Sequence, residues 1–116
     1  MSKSEAVLIV EDEAIIALDL AQLIEDMGFS PVVAATVGDA LVISQSRDID
    51  FAILDYRVGE FTTDKLAQTL REKRVPFALC SGSQLALAEP AFGGVPLIPK
   101  PYTVDLIRAI IQSALS

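Results

Sequence analysis

The chain has 116 residues, a formal net charge of −7, no His and one Cys. That length suits one domain that buries roughly two-thirds of its unfolded surface. The missing His excludes a Ser-His-Asp triad, an imidazole zinc site and a phosphohistidine on this chain. The single Cys excludes an internal disulfide or a Cys-rich metal site, and the acidic balance argues against a nucleic-acid surface.

No apolar run approaches the ~20 residues of a membrane span, and the segment before the first strand-like run is short for a signal peptide. The expectation is a soluble, cytoplasmic domain. Any metal it holds must take oxygen ligands, which favours Mg²⁺, Ca²⁺ or Mn²⁺ over zinc.

Ala6-Val7-Leu8-Ile9-Val10 is wholly apolar and rich in β-branched residues. It reads as a strand buried on both faces, as in a parallel sheet. After Glu11-Asp12-Glu13 the period changes. Ile16, Leu20, Leu23, Ile24 and Met27 recur at helical spacing, and Gly28 is a natural stop. Residues 31–35 form a second strand candidate. Thr36 is placed to cap a helix over 37–46, with Asp39 at the capping-box position. Phe51-Ala52-Ile53-Leu54 is a third buried strand, ending at Asp55. Residues 56–61 read as loop, and Thr62 or Thr63 as the cap of a helix over 63–73.

Pro76 opens a fourth strand over 77–80, followed by Ser81-Gly82-Ser83. Over 83–94, Leu85-Ala86-Leu87 suggests a short helix, which Pro90, Gly93 and Gly94 break. The fifth strand, 95–98, contains Pro96 and so reads as an edge. Thr103 is placed to cap a last helix ending at Leu115. Five alternations of strand and helix predict an α/β domain: a flavodoxin-like, doubly wound, five-stranded parallel sheet. Its expected order is 2-1-3-4-5, with helices on both faces and a short or missing helix between strands four and five.

In that order strands one and three are neighbours at the switch point, where such sheets bind ligands. Glu11, Asp12 and Asp55 would then share a pocket. Like charges repel by about 1 kcal/mol per pair at 4 Å even in water, so the cluster calls for a divalent cation and a nearby Lys. Lys100, after the fifth strand, is placed to reach the same edge. The plainer reading is that acids after strands cap helices. It suits Glu13 best, is even for Asp12, and fits Asp55 least, because Asp55 stands well before any helix. Taken alone, Ser81 reads as a turn residue and Lys100 as a surface charge. Pro99-Lys100-Pro101 is nevertheless a rigid tripeptide of the kind in which cis peptides occur. Cys80 reads as a small core residue.

With Glu11-Asp12, Asp55, Ser81-Gly82 and Lys100-Pro101 at successive strand ends, the sequence resembles the receiver domain of two-component response regulators over essentially its whole length, 1–116. The resemblance implies a phosphorelay switch, not an enzyme in the ordinary sense, that catalyses its own phosphoryl transfer and dephosphorylation. Asp55 would be the phosphoacceptor. Glu11, Asp12, Asp55 and the backbone carbonyl of Arg57 would hold Mg²⁺ or Mn²⁺. Lys100 would neutralise a phosphoryl oxygen, Ser81 would hydrogen-bond the transferred group, and the Gly82 N–H could approach it. The family often carries Tyr or Phe where this chain has Leu97, so the usual aromatic reporter is absent. Pro76-Phe77-Ala78-Leu79-Cys80-Ser81-Gly82 resembles an atypical subfamily with a Pro-Phe-x-Phe-Ala-Thr-Gly motif, known largely from alphaproteobacteria. Arg57 and Ser83 stand where the family tunes hydrolysis.

The implied partners are a histidine kinase or histidine phosphotransfer protein and a downstream protein target, with no nucleic acid and no membrane. The sequence carries no output domain after the last helix, so the expectation is a stand-alone receiver or a piece of a longer protein. The last helix is apolar over a wide arc: Leu106, Ile107, Ile110, Ile111, Ala114 and Leu115. A broad core face explains this. The alternative is a surface for a homodimer or a kinase, which Ile107→Glu or Ile111→Glu would weaken. The rival functional reading is a pseudo-receiver scaffold that acts by protein binding alone. An Asp-nucleophile hydrolase of the haloacid dehalogenase type lacks its second Asp, since Arg57 stands there. A dinucleotide-binding domain lacks its Gly-rich turn.

Overall fold

The computed structural model describes residues 5–82 and 89–115. Among them, β1 (Ala6–Val10) leads to α1 (Ala14–Asp26), β2 (Ser30–Ala34), α2 (Val37–Ser46) and β3 (Phe51–Asp55). A small hairpin follows, β4 (Arg57–Val58) and β5 (Phe61–Thr62), then α3 (Asp64–Glu72) and β6 (Phe77–Ser81). A 3₁₀ turn (Pro90–Phe92), β7 (Leu97–Pro99) and α4 (Val104–Leu115) complete the chain. The main sheet has the order β2-β1-β3-β6-β7, all parallel. This is the expected doubly wound order, with Pro31 and Pro96 associated with its two edge strands.

The central strands are buried along their whole length because both faces are covered. Leu8, Val10, Ala52, Leu54 and Leu79 pack against Ala40 of α2 and Leu66, Ala67 and Leu70 of α3. Val7, Ile9, Ile53, Ala78 and Cys80 pack with Leu20, Leu23 and Ile24 of α1 and Ile107 and Ile111 of α4. The period-two alternation therefore splits each strand between two cores. Leu97 packs against the α2–α3 core.

Local signals set most boundaries. The Thr36 hydroxyl accepts the Asp39 N–H at 3.0 Å. Gly28 takes φ +91°, in the left-handed region that ends a helix readily only at glycine. The Thr103 hydroxyl accepts the Leu106 N–H at 3.4 Å.

Four expectations change. Residues 57–62 are a hairpin, not an open loop; its two-residue turn begins at Gly59, with φ +63°. The fifth sheet strand begins at Leu97 and not Val95, because the Val95 N–H turns back to the Phe92 carbonyl at 3.3 Å. Thr63 stands at the N-cap position of α3 but makes no side-chain cap. In α4, Ile107 and Ile111 have no exposed surface. They belong to the core, so the two Glu substitutions would break packing and could not report on a partner surface. The expected Leu85-Ala86-Leu87 helix lies outside the described residues.

Candidate functional site at the switch point

The register brings the acidic residues together. Val10 pairs with Leu54, so Glu11 and Asp55 follow side by side at the ends of β1 and β3. Asp55 pairs in turn with Cys80, and Ser81 with Pro99. Lys100, the next residue, thus leaves the sheet beside Ser81, and its N–H donates to the Ser81 carbonyl at 3.2 Å. The Lys100–Pro101 peptide is cis.

Carboxylate oxygens of Glu11, Asp12 and Asp55 all lie within 4.8 Å of one another. Lys100 Nζ donates to Asp55 Oδ2 at 2.7 Å. Glu11 is buried and Asp12 is exposed. Glu11 Oε2 accepts the Glu13 N–H at 3.2 Å. Asp12 Oδ2 accepts the Gly59 N–H at 3.0 Å. The capping expectations change accordingly: Glu13 is the N-cap of α1 but makes no side-chain cap, and Asp12 ties the hairpin turn to the site.

These surroundings set the charges. Burial pushes the Glu11 carboxyl up to about 7; the Glu13 N–H opposes this and the charge of Asp55 adds to it. The Gly59 N–H holds Asp12 below the usual carboxylate range. Burial works against the Lys100 ammonium, but the hydrogen bond to Asp55 and the charges of Asp55 and Glu11 outweigh it and raise its pKa. One cation facing three carboxylates leaves net negative charge, and an all-oxygen donor set of this kind fits Mg²⁺ or Mn²⁺.

Ser81 is buried at the end of β6, and Gly82 is exposed just beyond it. Arg57 is exposed at the start of the hairpin. Cys80 is buried, and burial raises its thiol to about 12, so it is a core residue and not a nucleophile.

Two residues beside Asp55 escaped the sequence reading. The Thr63 hydroxyl donates to the Asp55 carbonyl at 2.7 Å, and the Thr63 N–H donates to the Tyr56 carbonyl at 2.9 Å. The Tyr56 hydroxyl donates to the Glu89 carboxylate. The Tyr56–Glu89 contact joins residues 33 apart in sequence, which no local period encodes.

Fold and site together define an α/β domain of the receiver type. The sequence matches the response regulator receiver domain over residues 7–112, and the chain belongs to that family. It is 34% identical over 118 residues to the photosynthetic apparatus regulatory protein RegA of Rhodovulum sulfidophilum, covering 97% of this chain and 64% of the relative. It is 30% identical to the phyllosphere-induced regulator PhyR of Methylorubrum extorquens, covering 94% of this chain and 43% of the relative. The chain therefore spans less than two-thirds of the length of these relatives. Among solved structures, SdrG of Sphingomonas melonis Fr1 superposes with a TM-score of 0.82 at 31% identity, over 100% of both chains. A CheY-like receiver domain of Methylobacillus flagellatus superposes with a TM-score of 0.84 at 26% identity, over 97% of this chain and 99% of that one. Among the described residues, no helix is long and apolar enough to cross a membrane.

Proposed function

We propose that Asp55 accepts a phosphoryl group from a histidine kinase or histidine phosphotransfer protein, and that the resulting aspartyl phosphate changes what the domain binds. The observation that carries this reading is the Lys100–Asp55 contact at 2.7 Å beside Glu11 and Asp12. An Asp oxygen attacks phosphorus, the bond from phosphorus to the donor nitrogen breaks, and an acyl phosphate forms. Such transfers depend mainly on alignment and on neutralising the phosphoryl oxygens. Lys100 provides a fixed positive charge for one of them. Ser81 ends the neighbouring strand, and its hydroxyl and the Gly82 N–H are the proposed donors to the transferred group. Glu11, Asp12, Asp55 and the Arg57 carbonyl are the proposed Mg²⁺ ligands. A bound Mg²⁺ would neutralise charge on the incoming phosphoryl group.

The chain has no His, so a phosphohistidine donor lies outside these 116 residues. The test is incubation with acetyl phosphate and Mg²⁺, followed by intact mass and peptide mapping. One added phosphoryl group on Asp55, lost in Asp55→Asn and on chelation, supports the reading. An unmodified wild-type protein, with no metal-dependent shift and no beryllofluoride binding, would instead make the chain a scaffold.

A further inference from the structure

The connection between β6 and β7 is held at its far end by side chains that flank the site. Tyr56 directly follows Asp55, and its hydroxyl donates to Glu89. Its ring meets the edge of Phe92, with centroids 5.6 Å apart and planes at 66°, and Phe92 has no exposed surface. The Tyr56 backbone is fixed on both sides: its N–H donates to the Cys80 carbonyl at 3.1 Å, and its carbonyl accepts the Thr63 N–H. Arg71 of α3 adds a second tie, donating from Nε to the Ala91 carbonyl at 2.8 Å and from Nη2 to the Gly93 carbonyl at 2.6 Å.

The connection therefore begins beside the site, after Ser81, and Glu89 on its far side meets Tyr56. Its first end lies where a phosphoryl group on Asp55 would be hydrogen-bonded. Its second end hangs on the residue next to Asp55. Leu97 offers no ring with which to sense the site, whereas Tyr56 carries both a ring and a hydroxyl. We propose that the Tyr56–Glu89 hydrogen bond is a latch that favours the unphosphorylated arrangement of residues 89–93, so that loading of Asp55 and release of this segment favour one another. The proposal rests on the phosphoacceptor reading and names a regulatory element for that site.

Linkage sets the size of the effect. A contact made in one arrangement and lost in the other shifts the equilibrium by its own free energy, and it acts reciprocally on ligand affinity. For a hydrogen bond to a carboxylate, partly open to water, the shift is about three- to tenfold. Tyr56→Phe keeps the ring on Phe92 and removes only the donor. Glu89→Met keeps the length of the side chain and removes the acceptor.

The experiment measures beryllofluoride affinity in Mg²⁺ and hydrogen–deuterium exchange over 89–95, for wild type and both variants. Both variants are expected to bind beryllofluoride about three- to tenfold more tightly than wild type. Their resting exchange over 89–95 should approach that of loaded wild type. Unchanged affinity and unchanged exchange in either variant, with wild type competent, overturn the latch alone. A wild type that binds no beryllofluoride overturns the phosphoacceptor reading and, with it, the regulation proposed here.

Discussion

Lys100 Nζ lies 2.7 Å from Asp55 Oδ2, and it faces a cluster in which Glu11 and Asp12 add two further carboxylates. The lysine serves two purposes in this arrangement. It offsets the repulsion of the resting cluster, and it presents a positive charge where a group on Asp55 would carry oxygens. Removing it and removing its partner should have opposite effects on stability. Without metal, Lys100→Met leaves the acids uncompensated and should cost about 1–2 kcal/mol, discounted because the ammonium is one-third exposed. Asp55→Asn removes one of the repelling charges and should leave stability unchanged or raised. Both variants should lose phosphorylation by acetyl phosphate. Urea denaturation in chelator checks the signs, and equal destabilisation by the two would contradict this account.

Glu11 gives the site a pH dependence. Its carboxyl titrates near 7 in the fold because burial disfavours its charge, against an ordinary value of 4.5. The metal-free native state therefore holds this proton more tightly than the unfolded chain. The associated stability is complete below about 4.5 and is lost as pH rises through 7. Glu11→Gln removes the ionisation. In chelator at pH 8 it should be more stable than wild type by on the order of 1 kcal/mol, with the difference vanishing near pH 4.5. In excess Mg²⁺ at pH 8 the order should reverse, since Gln is the weaker ligand. Thermal melts across this pH range, with and without metal, decide it.

The sequence displays some of this architecture and hides the rest for physical reasons. Residues 6–10 and 51–54 announce buried parallel strands because both faces are covered and every position is apolar. Once the strand order is drawn, Glu11, Asp12, Asp55 and Lys100 converge on one edge without any side-chain geometry. The β4–β5 hairpin is concealed because two-residue strands have no period, although Gly59 marks its turn. Thr63 reads as a helix cap, since its sequence signal is that of a cap; only the tertiary structure shows its hydroxyl turned to the Asp55 carbonyl. Glu89 stands 33 residues from Tyr56, a separation no local pattern spans. The wide apolar arc of α4 is ambiguous from spacing alone; the packing against α1 and the sheet places Ile107 and Ile111 in the core and leaves Ala114 exposed.

Because that arc is mainly a core face, Ile107→Glu and Ile111→Glu should unfold the domain. Each side chain has no exposed surface and packs in the cluster containing Val7, Ile9 and Ile24. An unpaired carboxylate there should cost about 3–5 kcal/mol or more, a large fraction of a small domain's stability. Val104, 48% exposed on the same helix, should accept Glu with less than about 0.5 kcal/mol of change. Circular dichroism melts of the three variants test the contrast. A native-like Ile107→Glu would move this helix out of the core.

Thr63 offers a test of how the Asp55 backbone is held. The residue has no exposed surface. Its hydroxyl donates to the Asp55 carbonyl at 2.7 Å and approaches the Tyr56 carbonyl at 3.3 Å, while its own N–H closes on Tyr56. Thr63→Val keeps the volume and deletes the donor. It should cost about 1–3 kcal/mol, because a buried carbonyl loses a partner that water cannot replace. Thr63→Ser keeps the donor and loses one methyl group, which should cost about 1 kcal/mol. The hydroxyl also fixes the peptide from which the Asp55 carboxylate projects, so Val should slow phosphorylation by acetyl phosphate more than Ser does. Equal stabilities and equal rates for Val and Ser would reduce Thr63 to a packing residue. A slower Val variant restored by Ser would show that the hydroxyl, and not the methyl group, holds Asp55 in place.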